Sequence, residues 1–139
     1  MLFPKKVKFR KWHTMRRNPK RPAVATRGTE INFGSFGLKA VEAVRVRSNQ
    51  IEAARKAMTR SLGKTGRVWI RVFPDMPFTQ KPAEVKLGKG KGDVQGYQVQ
   101  ILAGRVIFEV DGVAEAQARE VLRKAGTKLP VKTKIVARV

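Results

Sequence analysis

The chain opens without regular apolar periodicity and then switches repeatedly between a strand-like and a helix-like pattern. Ile31 to Val46 is rich in β-branched and aromatic residues, and Gly34 and Gly37 flank Phe36, which predicts a strand with a bend or bulge at the glycines. Ser48 is placed to cap a helix, because Ile51, Ala54, Met58 and Leu62 recur at helical spacing until Gly63 and Gly66 close it. Arg67 to Phe73 alternates cations with large apolar groups. This predicts a strand with Val68, Ile70 and Val72 on one face and Trp69 and Phe73 on the other, and we assign both aromatics to the core. Pro74, Pro77 and Pro82 then impose an extended, turn-rich path.

Tyr97 to Val110 predicts a hairpin closed at Ala103-Gly104, with Ile101 opposite Val106, Val99 opposite Phe108 and Tyr97 opposite Val110 on one apolar face. Gln98 and Gln100 take the other face, so the sheet is expected to be covered on one side only. After Asp111-Gly112 a second helix turns Ala114, Ala118, Val121, Leu122 and Ala125 inward. Glu115 and Glu120 lie early in it and Arg119, Arg123, Lys124 and Lys128 late, a polarity that suits the helix dipole. Pro130 ends that helix, and Val131 to Val139 reads as a last strand. The expected fold class is α+β: a single domain with a mixed or antiparallel sheet and two helices packed on one face. A length of 139 residues with 42% apolar content is enough for one modest core.

Charge changes the picture. Thirty-one Lys and Arg against ten acids give +21, a self-repulsion that opposes self-association and calls for a polyanionic partner. From Met1 to Thr29 there are ten cations and no acid, with Pro4, Pro19 and Pro22 interrupting any helix, so residues 1–28 are expected to be a basic arm and 29–139 the folded domain. In the arm, Lys5, Lys6, Lys8, Arg10, Lys11, Arg16 and Arg17 are candidate phosphate contacts. Phe3, Phe9, Trp12 and His13 are interleaved with them. These rings suit packing on bases or riboses, or alternatively pin the arm to the domain. His13 stands without Cys or a second His and reads as a hydrogen-bonding surface residue. Arg55 and Arg60 on the first helix and Arg71 on the Trp69 strand are further RNA-contact candidates, the helical row being either a solvated face or part of the contact surface.

Within the exposed loop 81–96, Lys81, Lys86, Gly88, Lys89, Gly90, Lys91 and Gly92 combine close backbone approach with clustered ammonium groups. The stretch reads as a phosphate-contact loop or as a solvated surface loop. It lacks the helix-opening ending of an NTPase phosphate loop, and Asp93 stands where a dinucleotide fingerprint needs its last glycine, so no cofactor is expected. With no cysteine, one histidine and scattered acids, neither a metal site nor a hydrolytic centre is expected. No apolar run approaches the ~18 residues of a membrane span, and no apolar stretch of a signal peptide follows Met1, so we expect no membrane partner and a cytoplasmic product.

Six stretches, in order, carry a family resemblance: Pro-Lys-Lys-Val-Lys-Phe-Arg-Lys at 4–11, Phe-Gly-Ser-Phe-Gly-Leu-Lys-Ala at 33–40, Gln-Ile-Glu-Ala-Ala-Arg at 50–55, Trp-Ile-Arg-Val-Phe-Pro-Asp at 69–75, Gly-Lys-Gly-Lys-Gly at 88–92, and Lys-Leu-Pro-Val-Lys-Thr-Lys at 128–134. The chain resembles the bacterial form of the large-subunit ribosomal protein sixteen family over nearly its whole length. The resemblance implies a structural, non-enzymatic protein with a hammerhead-like β element. It also implies binding to large-subunit ribosomal RNA among other large-subunit proteins, beside the aminoacyl-tRNA site near the peptidyl-transferase centre. Lys86 to Gly92 and Lys5 to Lys11 would reach inward there, supporting tRNA accommodation and subunit assembly. Lys86 stands where bacterial relatives commonly carry arginine; it keeps the charge and loses the planar fork of donors. Two rival readings from the residues are a nucleic-acid enzyme and a free DNA-compacting protein, which a sedimentation profile of cell extract separates from a ribosomal one.

Overall fold

The protein is described from a computed structural model covering residues 1–13, 20, 23–84, 88 and 90–139. Its elements run β1 (Phe36–Ala40), β2 (Val44–Arg47), α1 (Ser48–Leu62), β3 (Arg67–Ile70), β4 (Met76–Gln80), β5 (Asp93–Ile101), β6 (Val106–Asp111), α2 (Glu115–Gly126) and β7 (Thr133–Ala137). The strands form two antiparallel sheets, ordered β3-β6-β1-β7 and β2-β5-β4. This is an α+β domain, with two sheets where the sequence suggested one.

Both helices bury the stripes their periodicity marked. In α1 these are Ile51, Ala54, Met58 and Leu62, and in α2 Ala118, Val121, Leu122 and Ala125; the two helices pack on each other and on both sheets around one core. Helix α1 starts one residue earlier than a Ser48 cap implies. Arg47 is the N-cap, its N–H donating to Gln50 Oε1 at 2.9 Å, and Ser48 is buried in the first turn. Gly63, at φ 67°, ends it. Ala114 caps α2 and is exposed, not inward, and α2 stops at Gly126, before Pro130.

The strand pairings depart further from expectation. Ile31–Val46 is not one strand: β1 and β2 lie in different sheets, separated by a turn at residues 41–43. The expected 97–110 hairpin does not form either. Val99 and Ile101 pair with Val46 and Val44, whereas Phe108 pairs with Leu38 and Ile70, and the chain changes sheets at residues 102–105. There Gly104, at φ 96°, donates its N–H to Ala40 O at 2.8 Å. Apolar alternation states that a segment pairs and which face is inward; it leaves the partner open. The proline stretch, in turn, contains a strand. β4 is at the edge of its sheet, where Pro77 removes no ladder bond that a neighbour needs.

One-sided cover fails at β6, which is buried from Val106 to Val110. Phe108 and Val110 face the helices. Ile107 and Glu109 face the other way, beneath residues 28–36; Gly37 admits Ile31 there, since a Cβ on it would lie 3.2 Å from Ile31 Cδ1. In the second sheet Gln100 is exposed as expected, but Gln98 is buried beside Met76. Val72 is buried, whereas Phe73 is 45% exposed and so is not a core residue.

Candidate nucleic-acid interface

Four of the carboxylates are engaged by nearby guanidinium groups. Glu115 pairs with Arg119 (3.1 Å), Glu120 with Arg123 (2.6 Å), Glu109 with Arg71 (2.8 Å), and Glu52 with Arg55. The hydrogen bond from Arg55 holds the Glu52 carboxyl below the usual carboxylate range, and Arg123 does the same for Glu120. The outer face of α2 is therefore largely self-neutralised. Among the described residues no carboxylate lies within ion-pair distance of Lys5, Lys6, Lys8, Arg10, Lys11, Arg60, Lys81 or Lys91, so the excess charge sits on the arm, the α1 face and the loop.

The loop is the tip of the β4–β5 hairpin, whose last pair is Gln80 with Asp93 and whose ladder shifts between Phe78 and Thr79. Its glycines serve two purposes. Gly88 and Gly90 hold φ of 100° and 116° in open space, a backbone state that side chains disfavour. At Gly92 the need is room: a Cβ would come 2.8 Å from the Gln80 carbonyl carbon at the stem. The Lys81 ammonium donates to Gly88 O, and the Lys91 ammonium donates to Trp12 O. That second bond joins the arm to the loop, bringing together two stretches that the sequence marked separately. Lys86, Lys89, Arg16 and Arg17 lie outside the described residues.

The arm is fastened at both ends. Leu2 packs against the core, Phe3 meets Tyr97 edge-on at 6.2 Å, and the Met1 ammonium is 3.8 Å from Glu52. At its other end Val24 bridges Ala103 in parallel, Ala25 N–H donates to Ala103 O (2.9 Å) and Val106 N–H to Gly28 O (2.8 Å). The alternatives for the arm's rings thus divide: Phe3 rests on the body, while Phe9 (61% exposed), Trp12 and His13 face solvent, with the Lys8 ammonium 5.5 Å from the Phe9 ring. Arg60 is exposed on α1, whereas Arg55 and Arg71 already hold carboxylates.

Two features escaped the sequence reading. The Arg47 guanidinium lies 4.4 Å from the Phe78 ring beside the hairpin stem, and the alternation Val44-Arg45-Val46-Arg47 did mark Arg47 as outward. The stacking of Phe33 on Trp69 had no local signal, since the two belong to separate segments. Among the described residues, no group of His, Asp and Glu is arranged to hold a metal ion. What the site offers is cations, exposed rings and glycine backbone, which together suit a phosphate-bearing strand.

Comparison with known proteins agrees in scope with that chemistry. The family model described as ribosomal protein L16p/L10e matches residues 4–136. Similar curated proteins include large ribosomal subunit protein uL16 of Chelativorans sp. (strain BNC1), 53% identical over all of this chain and 98% of that protein. Those of Bartonella quintana (strain Toulouse), at 51% with 98% covered, and Caulobacter vibrioides (strain NA1000 / CB15N), at 52% with 94% covered, carry the same name. With unpaired cations on the arm and loop and a match running almost end to end, the chain belongs to the ribosomal protein L16p/L10e family.

Proposed function

We propose that this protein is a structural constituent of the large ribosomal subunit, binding large-subunit ribosomal RNA through its arm, loop and α1 face. It works beside other large-subunit proteins in the cytoplasmic ribosome, and the arm–loop unit helps form the aminoacyl-tRNA site near the peptidyl-transferase centre. There it supports tRNA accommodation and subunit assembly. The observation that carries this reading is the Lys91 bond to Trp12 O, which puts the glycine-lysine tip and the acid-free arm on one surface. Residues 1–28 act as the arm and 29–139 as the RNA-binding domain. The contact set comprises Lys5, Lys6, Lys8, Arg10, Lys11, Trp12 and His13 with Lys81, Gly88, Gly90, Lys91, Gly92 and Arg60. Lys86, Lys89, Arg16 and Arg17 extend it. Arg55 and Arg71 contribute through guanidinium edges that their carboxylates leave free.

Two measurements test this. Binding of the full-length protein to purified large-subunit ribosomal RNA is followed across a salt series, beside a variant with Lys5, Lys6, Lys8, Arg10 and Lys11 all changed to Ala. The variant's log–log slope is expected to be shallower by roughly 3–5, at 0.7–0.9 per lost phosphate contact. A near-zero slope for the wild type rejects RNA binding by charge. Ribosomes carrying Lys89→Ala with Lys91→Ala, or Gly90→Val, are expected to accommodate aminoacyl-tRNA more slowly at undiminished subunit yield. Wild-type rates in both would remove the aminoacyl-tRNA part of the proposal.

A further inference from the structure

Away from the arm and loop, one exposed ring system does not belong to the core. Arg67, Trp69 and Arg71 alternate along one extended segment and rise from the same side of it. Phe33 lies across two of them, its ring 6.3 Å from that of Trp69 at an interplanar angle of 19° and 5.1 Å from the Arg71 guanidinium. The Phe33 backbone is fixed as well, since the N–H groups of Asn32 and Phe33 donate to Glu109 Oε1 at 2.7 and 3.1 Å. A ring covered from beneath by two side chains and still 55% exposed presents its remaining area on the outer side. The result is an aromatic surface of fixed orientation on a protein of charge +21, with the exposed Arg67 cation on the same segment.

We propose that the outer face of Phe33 is a stacking platform for an unpaired base of ribosomal RNA, with Trp69 and Arg71 as positioning residues beneath it. Flat aromatic rings attract the π-faces of bases whatever their sequence, and they do so best when held rigid before binding. The Arg71 charge is matched by buried Glu109, so this platform contributes stacking and little phosphate contact. It differs in that respect from the arm and loop. Arg67, exposed and without a described carboxylate partner, is placed to take the phosphate of the stacked nucleotide.

The inference rests on the RNA-binding reading above, and a salt series separates the two. The probes are purified large-subunit ribosomal RNA and a blunt RNA duplex, with full-length wild type, Phe33→Ala, Phe33→Leu and Phe33→Trp. Phe33→Ala and Phe33→Leu are expected to bind the ribosomal RNA about tenfold more weakly at every salt concentration, with the wild-type slope. Phe33→Trp restores the affinity, and affinity for the duplex, which offers no unpaired base, changes in none. Phe33→Leu keeps apolar cover over Trp69, so it answers the question even where Phe33→Ala unfolds. Unchanged affinity in Phe33→Leu, equal loss in Phe33→Trp, equal loss on the duplex, or an altered slope overturns the platform. Failure of the wild type to bind ribosomal RNA overturns the parent reading and this one with it.

Discussion

Replacing Glu109 with alanine is the most demanding test of how the far side of the β6 sheet is held. The carboxylate is fully buried and accepts three hydrogen bonds: Asn32 N–H (2.7 Å), Phe33 N–H (3.1 Å) and Arg71 Nη1 (2.8 Å). Arg71 Nη1 also reaches Glu30 O at 3.3 Å, so one ion pair fastens residues 30–33 to β6. Truncation leaves two amides without their acceptor and a guanidinium that is 16% exposed without its counter-charge. Charge-assisted bonds each contribute about 1.5–3 kcal/mol net, but the three share one acceptor group and water can reach Arg71, so they do not sum. We expect a loss of about 3–5 kcal/mol, the usual result of breaking a buried pair on one side. That is a third or more of the stability of many domains, and at ~4 °C per kcal/mol it lowers Tm by roughly 12–20 °C. Denaturant melts give the free energy, and hydrogen exchange at the Asn32 and Phe33 amides gives its location. The double replacement Glu109→Met with Arg71→Met should cost clearly less than the two single truncations added together, because it strands no charge. A loss under ~1 kcal/mol for Glu109→Ala, or strict additivity in the double variant, would falsify the argument.

Three further outcomes are expected. Phe108→Ala, in the fully buried centre of β6, should destabilise by about 3–5 kcal/mol while exposed Gln100→Ala stays within about 0.5, both read by chemical denaturation; comparable effects would mean that the strand faces are misassigned. The Asp111 carboxyl lies below its usual range because Gly112 N–H and then the Ser35 hydroxyl donate to it, each at 2.8 Å. A depressed carboxylate stabilises above its unfolded value, roughly pH 4, and loses that contribution as pH falls through the folded value. Tm curves for Asp111→Asn and wild type should therefore differ at pH 6 and converge near pH 2–3, and parallel curves would contradict the assignment. Gly92→Val should disturb the hairpin stem, seen as lost protection of the Gln80 amide, whereas Gly88→Ala, in open space, should leave that amide protected; identical exchange in both would show that the stem has room.

Sequence alone made the helices legible because each buries a stripe that its own residues define: Ile51, Ala54, Met58 and Leu62 need no knowledge of their neighbours to be recognised. Strand faces were legible in the same way, Phe108 and Val99 among them, but their partners were not. Val99 and Phe108 are close in sequence and equally apolar, yet sheet membership is settled by Val46 and Leu38, far upstream. Glu109 read as a solvent-side position in an alternating strand, since the cation that permits its burial is 38 residues away. Pro77 hid β4 because a proline argues against an interior strand, and nothing local announces that a strand is at an edge. Of the candidate interface, composition revealed the cations and glycines. That the arm meets the loop depends on one bond spanning 79 positions, which no window of sequence contains.

The double fastening of the arm has a consequence in time. Its anchors are Tyr97, Ala103 and Val106, so the first segment of the chain to be made has nothing to dock on until more than two thirds of the chain has followed. At ~5–20 residues per second that interval is on the order of 5–20 s. Closure of so long a loop is also among the slower events of folding, since its entropy must be lost before any contact is gained. Throughout that window ten cations without a single acid are held by nothing of their own. In the life of each molecule, polyanions are met by the arm before its own body is.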